Sequence, residues 1–174
     1  LESEEHAKRR GARILGEVAG WGYSCDAYRL TDPQPEGEGM ALCMTRAIAS
    51  AGLTPEDVDH VNAHGTSTPY NDRAETLAIK KALGAHAFKI PVVSNKGNFG
   101  HLIHAAGSLE GALALKTIER GIVPPTINYQ TPDPLCDLDY VPNVAREQRI
   151  DVILKNSFGF GGMNVSVVYR RYEG

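Results

Sequence analysis

The chain has 174 residues, enough for one domain (1–174) with a real core, and its 42% apolar and 22% charged residues suit an ordinary globular protein. A net charge of −3 gives no basic footprint for nucleic acid or an anionic membrane. No apolar run approaches the roughly 20 residues of a membrane helix, and the acidic start Leu1-Glu2-Ser3-Glu4-Glu5 lacks the cationic-then-apolar pattern of a secretory leader. Three cysteines (Cys25, Cys43, Cys136), with neither CxxC spacing nor an even count, favour a reducing compartment. The first residue is not Met, which fits a fragment or a processed chain.

Strand-like and helix-like stretches alternate, the mark of an α/β protein. Glu4 to Arg10 reads as a short polar helix stopped at Gly11, and Ala12 to Gly20 as a strand with apolar Ile14, Leu15 and Val18. Two prolines and two glycines make Thr31 to Gly39 a loop. Gly39 to Ala51 carries Ala41, Met44, Ile48 and Ala51 at helical spacing and ends at Gly52. Thr54-Pro55-Glu56-Asp57 supplies an N-cap, a proline at the first helical position and acidic first-turn residues. Asp59 to Ala63 is a short strand. Asp72 to Leu83 is a helix with Ala74, Leu77, Ala78 and Ala82 inward, closed by Gly84. Ile90 to Val93 is a buried strand.

Ala105 to Arg120 is apolar around much of its girth, which predicts burial inside a layered structure. Gly107 and Gly111 form a GxxxG, here read as a tight helix–helix contact because Glu110, Lys116 and Glu119 exclude a lipid setting. Val152 to Asn156 and Val165 to Arg171 are strands on either side of a Gly-rich turn.

The histidines invite a zinc reading that geometry rejects. His60 opens a strand, so His64 lies about 13 Å further on, whereas zinc ligands each sit about 2 Å from the metal. Ser157 to Asn164 is no phosphate loop, since a strand follows it rather than a helix. Its glycines give a hairpin, and its two phenylalanines suggest an aromatic flap with N–H groups free for a ligand. His64-Gly65-Thr66-Ser67-Thr68-Pro69 lies at the C-terminal end of a strand, where ligands bind in open α/β sheets. Lys96 to His101 repeats the pattern of strand, polar Gly-rich loop, histidine and buried helix. Two such histidines could stabilise an oxygen that gains negative charge during a reaction.

These segments, with Ala105-Ala106-Gly107, Pro124-Pro125-Thr126-Ile127-Asn128 and Asn156-Ser157-Phe158-Gly159-Phe160-Gly161-Gly162, occur in order. Together they resemble the C-terminal half of β-ketoacyl-acyl carrier protein synthases of the II/I type and related polyketide ketosynthases, over about residues 1–171. The resemblance implies half of a thiolase fold: a mixed sheet with helices on both faces, two halves making α-β-α-β-α layers, usually in a homodimer. It implies transfer of acyl groups from acyl carrier protein to a cysteine, then decarboxylative condensation with malonyl-carrier protein in fatty acid or polyketide synthesis. The setting would be cytoplasm or an organelle matrix. No cofactor is implied, because phosphopantetheine arrives on the carrier protein.

Residue by residue, His64 and His101 match the histidines that polarise the malonyl thioester carbonyl. Lys96 matches the active-site lysine, with Glu110 as its partner; a structural ion pair and a chemical role both fit. Thr66 and Thr68 match hydroxyls on the phosphopantetheine arm, Phe160 the gating aromatic that shares the oxyanion hole, and Phe158 its support. Asn62, Glu110 and Asn164 match positions around a buried cation in some relatives. Two departures stand out: Ser94-Asn95-Lys96 and Phe99-Gly100-His101 replace the usual Ser-Thr-Lys and Thr-Gly-His, and His104 stands at a usual Gly. Both add bulk near the second histidine. The nucleophilic cysteine belongs to the amino-terminal half, and Cys25, Cys43 and Cys136 read as small hydrophobes rather than nucleophiles. This chain alone is therefore expected to be inactive. A non-catalytic subunit of the chain-length-factor type is the alternative, disfavoured by both histidines and Lys96; thiolases use a different histidine motif and a second reactive cysteine.

Overall fold

The computed structural model describes residues 1–174. A short helix α1 (Glu4–Arg9) leads into strand β1 (Glu17–Cys25) and helix α2 (Glu38–Ser50). Strand β2 (His60–Asn62), helix α3 (Pro69–Leu83), strand β3 (Val92–Val93), the single turn α4 (Lys96–Phe99) and helix α5 (Ala106–Arg120) follow. Strands β4 (Ile122–Val123) and β5 (Arg146–Glu147) form a small ribbon, and β6 (Val152–Gly159) and β7 (Met163–Arg170) form a long hairpin.

The main sheet has the order β1-β7-β6-β2-β3. The first three strands are antiparallel, and β6, β2 and β3 are parallel, so the sheet is mixed as expected. Side chains alternate across it and build two separate cores. Leu154, Val61 and Val92 join α2 and α3 on one face. Ile153 and Val93 join Ala114 and Ile118 of α5 on the other.

Several boundaries differ from the sequence reading for identifiable reasons. Strand β1 starts at Glu17 rather than Ala12, because only from Glu17 does it find a partner, Arg170, which it also engages by a 2.6 Å ion pair. Helix α3 begins at Pro69, three residues early: Thr68 is its N-cap and Pro69 takes the first helical position. Its buried face includes Glu75, Thr76 and Ile79, while Leu77, expected inward, is partly exposed. In the β6–β7 hairpin, strand pairing continues to Gly159 opposite Met163, so the turn is only Phe160–Gly162.

The GxxxG of α5 serves a different contact from the one expected. A Cβ at Gly111 would stand 2.4 Å from the Tyr169 hydroxyl on β7, so the small residue lets the helix settle onto the sheet. The contact that Gly111 permits within this chain is with a strand.

Candidate active site

The C-terminal ends of the parallel strands β2, β3 and β6 open on one groove of about 770 Å³. His64, two residues beyond β2, and His101, beyond α4, meet there with ring centroids 5.4 Å apart in an edge-to-face arrangement. Phe158 of β6 packs on His64 at 5.7 Å. Thr66, Ser157 and Phe160 also line the groove.

The loop that carries His64 is held by a buried carboxylate that the sequence reading passed over. Glu75 accepts the N–H groups of His64 at 2.9 Å and Gly65 at 2.8 Å. Asn156 and Asn71 complete its shell at 3.1 and 3.3 Å. Four donors offset much of the cost of burying the group without a cation. Burial nevertheless raises its pKa, against the lowering effect of the Gly65 and His64 N–H groups. Gly65 is required at its position: φ is +43°, and a Cβ would meet that of Ser94 at 2.4 Å. Ser94 donates to the Gly65 carbonyl at 2.6 Å and ties the loop to the end of β3. The cue in the sequence was an acidic residue beside the inward Ala74, a position where a solvated glutamate would be out of register.

His101 has a defined tautomer. The Ile103 N–H donates to its Nδ1 at 3.2 Å, so in the neutral ring the proton sits on Nε2. His101 is exposed along the groove, and its pKa is lowered by partial burial and then by the Lys96 ammonium. Burial drives the His64 pKa down to about 3, with Lys96 and His101 adding to the depression. Both rings are therefore neutral donors at physiological pH.

Behind them Lys96 places its ammonium 2.5 Å from Glu110 Oε1, the pairing read from the sequence. A second ammonium was not foreseen. Lys155 of β6 lies 2.9 Å from Glu110 Oε2, with both side chains buried. Its only warning was a lysine directly after the apolar run Val152-Ile153-Leu154, within the same strand.

The remaining residues singled out in the sequence have distinct places. Thr68 Oγ1 caps α3 by accepting from the Asn71 N–H at 3.3 Å, and stands 3.0 Å from Thr66 Oγ1 on the groove rim. Phe160 is 76% exposed at the hairpin tip, whereas Phe158 belongs to the core, so the flap has one free aromatic and not two. Asn62, Glu110 and Asn164 do not converge. Asn62 shares a sheet face with Lys155, but Asn164 opposes Phe158 on the other face and donates to Asp26 at 2.6 Å. His104 lines the groove; Phe99 does not. Of the three cysteines read as small hydrophobes, Cys43 is buried in α2 with its thiol pKa pushed up to about 11 and Cys136 is partly buried, whereas Cys25 at the end of β1 is exposed.

Residues 15–130 match the family model for the beta-ketoacyl synthase C-terminal domain. The chain belongs to the β-ketoacyl synthase family. It is 51% identical to 3-oxoacyl-(acyl-carrier-protein) synthase 2 of Coxiella burnetii over 98% of its own length and 41% of the relative's. It is 47% identical to the tetracenomycin polyketide synthase ketoacyl synthase alpha subunit of Streptomyces glaucescens, over 98% of this chain and 40% of that one. Among solved structures it superimposes on the ketosynthase of the AntDE:AntF complex, a type II polyketide ketosynthase with its acyl carrier protein, with a TM-score of 0.96 and 45% identity. That match covers 99% of this chain and 42% of the other. The ketosynthase domain described here thus spans about two-fifths of the length of the relatives it matches, and its fold is the C-terminal half of their thiolase-type architecture.

Neutral histidines in this β-ketoacyl synthase domain carry a stability consequence. His60 is buried with its Nδ1–H on the Pro91 carbonyl at 2.9 Å, and burial lowers its pKa from 6.5 to about 4. Below pH 6.5 the unfolded chain takes up protons that native His60 and His64 refuse, so stability falls as pH falls. The expected slope is about 1.4 kcal/mol per pH unit for each histidine, partly opposed by Glu75, whose raised pKa works in the other direction. Urea midpoints of the complete protein measured from pH 7 to pH 4 check this, and His60→Gln should flatten the curve. An unchanged slope in the variant would count against the assignment.

Proposed function

We propose that this chain is the C-terminal part of a 3-oxoacyl-acyl carrier protein synthase and supplies the histidine side of its active site. The observation that carries the reading is the meeting of His64 and His101 at one groove, both neutral, His101 with its proton on Nε2. Two such N–H donors match a thioester carbonyl oxygen that becomes an enolate. As CO2 leaves malonyl-carrier protein, the C–C bonding pair moves onto that thioester, and the histidines stabilise the charge on its oxygen. The carbanion carbon then attacks the acyl thioester on a cysteine outside this chain, releasing the cysteine thiolate and forming the β-ketoacyl product. Lys96 holds positive charge behind the pair, which disfavours imidazolium. Phe160, exposed at the hairpin tip, is suited to gate the groove, with Phe158 as its fixed base. Thr66 and Thr68 on the rim present hydroxyls to a phosphopantetheine arm.

The partners in this reading are acyl carrier protein, the amino-terminal half and a second ketosynthase-type subunit. That second subunit is a copy of the same protein or a chain-length factor, as in the ishigamide ketosynthase/chain length factor, to which this chain is 40% identical. No helix is long and apolar enough to cross a membrane, and work in the cytoplasm or an organelle matrix suits carrier-protein chemistry.

The test is to assay the complete synthase and this chain separately with acyl- and malonyl-carrier protein, following β-ketoacyl product by mass spectrometry. Turnover is expected only from the complete protein, since no histidine pair replaces a covalent acyl carrier. A complete protein that binds carrier protein yet neither decarboxylates nor condenses would favour the chain-length-factor alternative.

A further inference from the structure

A cation at Glu110 would meet a carboxylate already held by two ammonium groups. Glu110 is fully buried, with Lys96 on Oε1 at 2.5 Å and Lys155 near Oε2 at 2.9 Å. The Lys155 contact is not aligned as a hydrogen bond to Oε2; the ammonium instead donates to Ser157 Oγ. Toward Glu110 it thus acts as a point charge, the role that a small ion would have. Asn62 Oδ1 and Glu110 Oε2 are both buried without a hydrogen-bond partner, but Asn164 lies across the sheet, and the Lys155 ammonium already stands at 2.9 Å from Glu110 Oε2, the oxygen an ion would have to use. Hard cations take several oxygen ligands, and two unit charges of like sign at 4 Å repel by about 4 kcal/mol at an effective dielectric of about 20. The residues present do not fit a bound metal ion.

We propose that Lys155 is a tethered replacement for that cation, supplying the second positive charge on Glu110 from within strand β6. One ammonium suffices to neutralise Glu110, and Lys155 makes the cluster net positive behind His64 and His101. A covalently attached charge does not exchange with solvent. The complete protein should therefore be indifferent to which monovalent cation surrounds it. Removing the ammonium while leaving room beside Glu110 should create a cation requirement. Gly107 leaves the Lys155 end of the site uncrowded: a Cβ there would stand 3.8 Å from the Lys155 ammonium.

The experiment is thermal unfolding of the complete protein in potassium, sodium and tetramethylammonium chloride at equal ionic strength. Wild type is expected to melt at the same temperature in all three. Lys155→Ala should melt lower in tetramethylammonium and recover by about 2 °C or more in potassium or sodium, as an ion that binds only the folded state stabilises it. Lys155→Met, which removes the charge but fills the space, should melt lower without that recovery. Lys155→Gln, neutral and shorter, gives the same comparison as Lys155→Ala if the alanine variant does not fold. Two results would overturn the proposal: a wild-type melting temperature raised by potassium or sodium over tetramethylammonium, or no cation-specific recovery in the alanine and glutamine variants. Neither readout depends on condensing activity, so the proposed reaction can fail while this inference stands.

Discussion

His101→Ala in the complete synthase is expected to lower the decarboxylation of malonyl-carrier protein by about 10²–10³-fold, the cost of removing one donor from a developing oxyanion. Loading of the acyl group onto the cysteine should stay largely intact. That step needs a thiolate and an oxyanion hole, and His101 belongs to neither in the proposed arrangement. It lines the groove with a ring whose Nδ1 is already occupied by the Ile103 N–H, which leaves Nε2–H free for the malonyl oxygen of the proposed reaction. Release of labelled CO2 and transfer of labelled acyl group to protein separate the two half-reactions. Equal loss of both would show that His101 serves only to shape the loop between α4 and α5.

This chain expressed alone is expected to self-associate or to remain molten. Helix α5 covers only part of its face of the sheet. Trp21 and Tyr23 of β1, 62% and 69% exposed, continue the same face as Val165 and Met163 of β7, which are also open. On α5 itself Ala112 is exposed and Leu109 and Leu113 are half-buried. In the layered architecture of the family, the equivalent helix of the other half would cover this surface. Leaving even ~600 Å² of apolar surface in water forgoes roughly 15 kcal/mol at about 25 cal/mol per Å², an upper bound because unfolded chains bury some surface already. That exceeds or equals the roughly 5–15 kcal/mol net stability of a typical domain. Sedimentation and near-UV circular dichroism decide the matter, with co-expression of the amino-terminal half expected to rescue solubility. A monodisperse monomer with sharp aromatic signals and a cooperative melt would show that this half folds by itself.

Much of this was legible in the sequence because it depends on local rules. Thr54-Pro55 and Gly84 mark their element ends through capping chemistry that needs only neighbouring residues. The loops at His64 and His101 follow strands and precede helices, which by itself puts both at one edge of a parallel sheet. The pairing of Lys96 with Glu110 followed from the family resemblance. Where the reading missed, the deciding contact was remote. Gly111 was placed against a helix because its spacing is that of a helix contact, yet its neighbour is Tyr169, 58 positions away on a strand. Glu75 and Lys155 carry only faint local cues, an acid at the edge of an apolar helix face and a lysine after an apolar run.

The sequence by itself determined the α/β class, the order of the elements, the identity of the two histidines and the family. Periodicity, caps and ordered motifs are encoded in short stretches and survive without tertiary context. Only the tertiary structure decided which polar groups stand behind those histidines. The parallel register that sets Asn62 beside Lys155 brings a lysine from β6 to a glutamate on α5 and a lysine beyond β3. The same alternation sends Asn164 to the opposite face, out of reach of Glu110. A strand's side chains change face at every residue, so register assigns each polar group to one side of the sheet. No local pattern in the chain contains that information.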